Sequence, residues 1–499
     1  MIQRFLVPVI AALAGLYVIV QILTSGGNAL SEAMIYLSIF GFIIAIANAK
    51  AGMAFVFLCA NYLDVLKRFL VVGGSPTMED VIRTLAVAPV ATGAVYIGLC
   101  MRSLSKKGDP LPLLRIALAF VLAMAVVGGA LAGGGTTRDI LQSVANSALY
   151  VGLLGFASAI YKTSDDQHKL WRFLMVIFLP VVVYGWVQLI DGYTFVEVEY
   201  AKSGLTTIDV PLLHPSEVEY KRVFSTMSSS PAYTIIGTII SLYALIYGFG
   251  RGIIKRAGGV LFALACFASH VPGAGRTGWA IAICAMGCYF VFRSKLLTIV
   301  TYVVSIISTI LFLFNAEKVG LWLVEKTQGM GDTEFGDRAT TMGTFTTRTQ
   351  GISEWFGNPE YFSWFGLTWK EVKASKVHDM FGQIYLSTGV IGITVGVVVG
   401  FSILFYLHKN LLSVSSPEGK KLGAFYLANI FALLLSGIFS GSQFHVFPIN
   451  IYFWLMLGLL FQIITSNKGV KHETTVSNID KILSTELASS NLDISSRFS

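Results

Sequence analysis

Residues 171–190 read WRFLMVIFLPVVVYGWVQLI, twenty positions with a single charge, Arg172, near the start. A helix rises about 1.5 Å per residue, so about 20 apolar residues cross the roughly 30 Å hydrocarbon core of a bilayer. Runs of this kind recur along almost all of the 499 residues. The composition agrees, with 55% hydrophobic and 13% charged residues and a mean hydropathy of +0.70, against roughly 25% charged residues in an ordinary soluble domain. The expectation is an all-α polytopic membrane protein, not a soluble enzyme.

Before Trp171–Ile190, candidate spans lie at Phe5–Leu23, Met34–Ala49, Ala51–Leu66, Arg83–Met101, Leu113–Ala132 and Ser143–Tyr161. After it they resume at Tyr233–Gly248, Ile254–Ala268, Thr277–Phe292, Leu296–Phe314, Met380–Leu407, Leu422–Ser440 and Phe447–Ile464. That makes about 12–14 transmembrane helices: fourteen in all, twelve without the second and third. The first run leads into Thr-Ser-Gly-Gly-Asn rather than a small-residue cleavage site, so it reads as a retained span. The predicted organisation is an N-terminal transmembrane bundle (1–190), a first outer loop (191–231), further transmembrane helices (232–315), a large outer loop (316–379), C-terminal transmembrane helices (380–466) and a Ser-rich, disordered cytoplasmic tail (467–499). Cys59, Cys100, Cys266, Cys284 and Cys288 all fall inside apolar runs, which argues against a disulfide framework and for small packing residues.

The net charge of +8 and pI near 9.1 invite a nucleic-acid reading, but the Lys and Arg are scattered over short loops rather than gathered on one stripe. Membrane topology explains the excess. A cytoplasmic N-terminus puts Arg102, Lys106, Lys107, Lys162, Lys169, Arg172, Arg251, Lys255, Arg256, Arg293, Lys295, Lys409, Lys420 and Lys421 inside, as the positive-inside rule requires. Asp191–Pro231 and Ala316–His378 then face outward. Lys67 and Arg68, at the outer end of the third run, are the one local violation, as a re-entrant segment would give.

Long loops are usually functional, so chemistry is sought in the two outer segments. The second presents Arg338 and Arg348 among threonines, then Trp355-Phe-Gly-Asn-Pro359 and Trp364-Phe-Gly-Leu-Thr-Trp369. Such aromatics suit stacking on sugar rings, although each Trp taken singly also suits a membrane interface belt. His378 closes the loop where it meets a span, and its imidazole could take a proton from a sugar hydroxyl near neutral pH; taken alone, it could equally cap the loop. Arg222 and Arg276 stand at the mouths of neighbouring spans, where two guanidinium groups could clamp an anionic head group, whereas an isolated interfacial Arg more often snorkels. The coincidence of these residues on one side of the membrane favours function.

In order, these features resemble the O-antigen ligase and polymerase superfamily of bacterial membrane glycosyltransferases. Arg222 with Pro231 is similar to that family's stretch before a span, Gly275-Arg276-Thr-Gly to its helix start, and Asp337-Arg338 with Asn358-Pro359 and Trp364-Phe-Gly366 to its outer-loop element. His378-Asp379-Met-Phe381 with Gly389 and Gly392 resembles its "His-Asn-x-Phe/Tyr … Gly-x-x-Gly". Asp379 stands where Asn is usual, and Ser230 where Asn precedes the proline. The likeness covers about Lys221 to Phe461.

The resemblance implies a GT-C-type fold in the bacterial inner membrane, and the charge asymmetry of the short loops puts both termini in the cytoplasm. It implies donor and acceptor glycans carried on a polyprenyl diphosphate, and a chain-length regulator protein and membrane lipid as partners, with no nucleic acid. It further implies His378, Arg222 and Arg276 as catalytic residues, and Arg338, Arg348, Asp379, Trp364 and Trp369 as substrate-binding residues. No acidic motif with metal-ligand spacing lies near the outer mouths, so neither a metal nor another cofactor is expected. The favoured reading is a polymerase of lipid-linked oligosaccharide repeat units. The alternatives are a ligase moving finished glycan onto lipid A core and, from another class, a polysaccharide-lipid flippase, which has no need of a roughly sixty-residue outer loop. A purely structural membrane protein leaves the one-sided arginines and histidine unexplained.

Overall fold

The computed structural model describes residues 26–73, 77–104, 111–132, 137–203, 223–270, 276–293, 363–364, 366, 380–437 and 447–466, with the single positions 300, 307 and 318. Every regular element among them is helical. In chain order these are α1 (Gly26–Ala47), α2 (Ala49–Val72), α3 (Met78–Leu104) and α4 (Leu113–Ala132). The interrupted helix α5 is made of Thr137–Ser143, a π-helical turn Val144–Ala148, Leu149–Val151 and Leu153–Ile160. Then come α6 (Ser164–Asp191), the short α7 (Phe195–Lys202), α8 (Ser230–Tyr247), α9 (Ile253–His270), α10 (Arg276–Val291), α11 (Met380–Leu412), α12 (Pro417–Ser436) and α13 (Ile449–Ser466).

Among the described residues six helices, α3, α6, α8, α9, α13 and the Thr388–Leu412 part of α11, are long and apolar enough to cross a membrane. The chain is thus an α-helical protein with the helices of a membrane protein. Twelve of the fourteen candidate spans coincide with described helices; Phe5–Leu23 lies outside the described residues, as does nearly all of Leu296–Phe314. The tail 467–499 also lies outside them.

Local chemistry sets the breaks. Asn48 is extended (φ −148°) and its side-chain oxygen accepts from the Lys50 and Ala51 N–H groups at 3.0 and 3.3 Å, which ends α1 and starts α2. Thr163, Ser229 and Ser416 cap α6, α8 and α12 in the same way, with Pro231 and Pro417 in the first turns of the last two.

α6 forms the core. Leu170, Trp171, Leu174, Met175, Phe178, Val181 and Val182 are buried along it, and it touches α2, α8, α9 and α12. Trp171 Nε1 donates to the Tyr426 hydroxyl at 3.0 Å, which donates to Gln167 Oε1 at 3.1 Å, so the polar edges of these rings are satisfied. α8 and α13 are central, with 72% of their most apolar window buried, whereas the figure for α11 is 17%. α11 therefore presents Val395, Val398, Val399, Phe405 and Tyr406 outward, as a lipid-facing helix does.

The ends of the helices gather at two levels. One level is tied together by Lys50–Asp166 (2.6 Å), His168 Nε2 with Glu418 (2.9 Å), His168 Nδ1 with the Tyr243 hydroxyl (2.7 Å) and Gln462 donating to the Lys162 carbonyl (3.3 Å). Arg102, Arg115, Lys162, Lys169, Arg172, Lys255, Arg256, Arg293, Lys409, Lys420 and Lys421 cluster at this basic end. At the opposite end α6 finishes and α8, α10 and α11 begin.

α2 corrects one expectation. It runs unbroken from Ala49 to Val72 instead of re-entering, and it carries Lys67 and Arg68 buried inside the protein at the end opposite the basic one.

Candidate functional site

Arg68 organises that end of the bundle. Its Nη1 donates to Glu197 Oε1 at 3.3 Å and to the Ser225 carbonyl at 2.7 Å, and its Nη2 donates to the Met227 carbonyl. The guanidinium also lies over the Phe224 ring, 4.6 Å from the centroid. Glu197 accepts in addition from Tyr184 (2.9 Å), from Gln188 Nε2 and from the Thr194 N–H (2.8 Å). Gln188 in turn accepts from the Phe224 and Ser225 N–H groups at 3.2 and 2.7 Å, and Thr226 donates to the Asn61 carbonyl at 2.6 Å. A buried ion pair holds only when its remaining hydrogen-bonding groups are satisfied, and here they are.

The result is that residues 223–229 are plugged into the bundle. Val223, Ser225 and Met227 are fully buried, and Ser225 sits in the left-handed region (φ +54°), a turn that the surrounding contacts hold in place. Lys67 pairs with Asp64 at 3.3 Å and faces the Tyr200 ring of α7, so both cations of the pair are accounted for. Burial raises the Tyr200 hydroxyl above its ordinary range while Lys67 pulls the other way.

Arg222 directly precedes this plugged segment and lies outside the described residues. Arg276 is the first residue of α10, whose Gly278 lies against α8: a Cβ there would fall 2.9 Å from Thr234 Cβ, and Thr238 donates to the Gly278 carbonyl at 3.1 Å. The backbone starts of α8 and α10, each preceded or opened by an arginine-bearing stretch, are therefore neighbours.

The large loop meets the bundle at Gly389. There α11 breaks (φ +67°, ψ −168°), which leaves N–H groups without their intrahelical acceptors. Val390 N donates to the Ser363 carbonyl at 3.0 Å and Ile391 N to the Trp364 carbonyl at 3.3 Å, so a loop segment completes the helix. Ser363 Oγ accepts from Gly366 N at 3.0 Å and steadies the turn. A Cβ at residue 389 would fall 2.4 Å from the Trp364 carbonyl, so only glycine permits this approach. A Cβ at Gly392 would meet the Thr388 side chain, which explains the second glycine.

Of the expected site residues, Trp364 is described and is 57% exposed at this junction. His378, Asp379, Arg338, Arg348 and Trp369 lie outside the described residues. Among the other outer histidines, His270 is described and fully buried, edge-on to Tyr233 at 5.2 Å, so it is not open to a substrate hydroxyl. Arg68, Glu197 and Gln188 were not among the expected site residues. The signal for Arg68 was present: a Lys-Arg pair on the wrong side of an otherwise regular charge pattern.

Comparison of the chain with family models, curated proteins and solved structures found no match.

Proposed function

We propose that the protein is a GT-C-type membrane glycosyltransferase of the bacterial inner membrane that polymerises polyprenyl-diphosphate-linked oligosaccharide repeat units into a surface polysaccharide. The basic end is read as cytoplasmic, and the reaction is assigned to the opposite, outer end. One observation above all supports this. The start of α8, which Arg222 precedes in sequence, the start of α10, which Arg276 opens, and the docked Ser363–Trp364 junction of the large loop all lie at the end of the bundle away from the basic one.

In this mechanism His378 takes the proton from an acceptor sugar hydroxyl as its oxygen attacks C1 of the donor sugar. The C1–oxygen bond to the diphosphate breaks, and the bonding pair leaves with the diphosphate. Arg222 and Arg276 meet that growing negative charge, so no metal ion is required. Direct displacement inverts the anomeric centre. Arg338, Arg348 and Asp379 hold donor, acceptor or the imidazole in place, and Trp364 and Trp369 offer faces to sugar rings.

Deletion and complementation test the reading. A deletion strain is expected to accumulate single lipid-linked repeat units; long unattached chains would instead indicate a ligase, and material confined to the inner leaflet a flippase. Complementation with Arg222→Lys or Arg276→Lys should restore about 10–100-fold less polymer than the unaltered chain, because an ammonium cannot make the forked contact to phosphate oxygens. Normal polymer from both variants would reduce the arginines to interface anchors.

A further inference from the structure

We propose that a cavity at the basic end, between α3, α4, α5 and α13, binds the phosphate-bearing headgroup of an anionic membrane phospholipid. The cavity has a volume of about 420 Å³, within the ~300–1,000 Å³ of small-molecule sites. Arg102 from α3, Arg115 from α4 and Lys162, just beyond α5, line it together with Ser103, Ser158 and Gln462. None of its described lining residues is an Asp or Glu.

The walls are built rather than incidental. Arg102 Nη1 donates to the Ala47 carbonyl at 3.2 Å, and Gln462 Nε2 donates to the Lys162 carbonyl at 3.3 Å. Arg115 Nη1 is buried with no hydrogen-bond partner. A snorkelling arginine carries its head into water; this nitrogen is instead withdrawn from water, which is costly unless an acceptor arrives. An anionic phosphate oxygen is the acceptor that suits a guanidinium best.

The surroundings specify a lipid rather than a free ion. Leu113 and Leu114, next to Arg115, are 74% and 86% exposed, and Met101 and Leu104, next to Arg102, also face outward. Acyl chains would cover these side chains, whereas a soluble phosphate gains nothing from them. Basic pockets between helices on the cytoplasmic side are suited to anionic headgroups. The site lies at the end opposite the proposed glycan chemistry and is independent of it.

The test is lipid retention by the purified full chain in neutral detergent, read by native mass spectrometry with phosphatidylglycerol and phosphatidylcholine as probes. The unaltered chain is expected to prefer phosphatidylglycerol, and Arg102→Gln/Arg115→Gln to hold it about 25-fold less, at about fivefold per basic residue near an anionic surface. Arg251→Gln/Lys255→Gln removes the same charge elsewhere at that end and should leave retention unchanged. Arg115→Lys, which keeps the charge, guards against misfolding and should lose retention several-fold for want of a forked contact. Unchanged retention in the cavity variants, or an equal loss in the control pair, would mean lipid gathered by overall charge and would overturn the proposal. Displacement of phosphatidylglycerol by an equal concentration of inorganic phosphate would overturn it too, in favour of a soluble anion.

Discussion

His378→Ala is expected to slow glycan chain growth about 10²–10⁴-fold, the usual contribution of a general base, while leaving retention of the lipid-linked donor nearly unchanged. The reason is division of labour. In the proposed site the arginines meet the diphosphate and His378 meets the acceptor hydroxyl, so removing the imidazole removes the proton acceptor without touching the donor's charge. His378→Asn should be no better than alanine, since an amide can accept a hydrogen bond but does not take up a proton near neutral pH. Turnover and donor retention are measured on the same purified variants. Full turnover by His378→Ala would remove the residue from the mechanism, and joint loss of turnover and donor retention would move it to binding.

Removing Arg68 should have the largest effect on the fold. Arg68→Ala strands Glu197 inside the protein and frees the Ser225 and Met227 carbonyls, and breaking a buried pair from one side costs about 3–5 kcal/mol. The variant should unfold at a clearly lower temperature in detergent and lose chain growth as residues 223–229 come away from the bundle. Arg68→Met/Glu197→Gln should recover much of the lost thermal stability: no charge is then left unpaired, and the amide still accepts from Thr194 N. The double variant should nevertheless grow chains poorly, because no guanidinium holds the segment that follows Arg222. Unchanged thermal stability of Arg68→Ala would show that the network is dispensable.

Hydropathy reads the helices well where apolar content and helix length coincide, as in Leu113–Ala132, which matches α4 residue for residue. It trims a helix where charges are paired inside the protein. Hydropathy bounds the third run at Leu66, before Lys67 and Arg68, yet α2 continues to Val72 since Asp64 and Glu197 compensate those charges. Glu197 lies 129 residues from Arg68 in the chain, and no local pattern announces such a partner.

Pro89 and Pro180 sit inside α3 and α6 without ending them, whereas α5 is interrupted around Val144–Ala148 and Gly152, where hydropathy is continuous. The break in α11 was legible only as a Gly-x-x-Gly spacing. Its physical cause, the approach of the Trp364 carbonyl to within a Cβ's distance of Gly389, depends on a loop more than twenty residues earlier. The arginine stretches and His378 were identified by residue type and order, and the described helices add the level at which their flanking segments emerge.

The central claim is that this chain alone joins lipid-linked glycans. The direct measurement is product length after the purified full chain, in liposomes, is given polyprenyl-diphosphate-linked repeat units, with and without EDTA. The account predicts a ladder of longer lipid-linked glycans, inverted at the new linkage and undiminished by EDTA. Failure of the folded protein to extend any repeat unit, or growth that stops in EDTA, would contradict it.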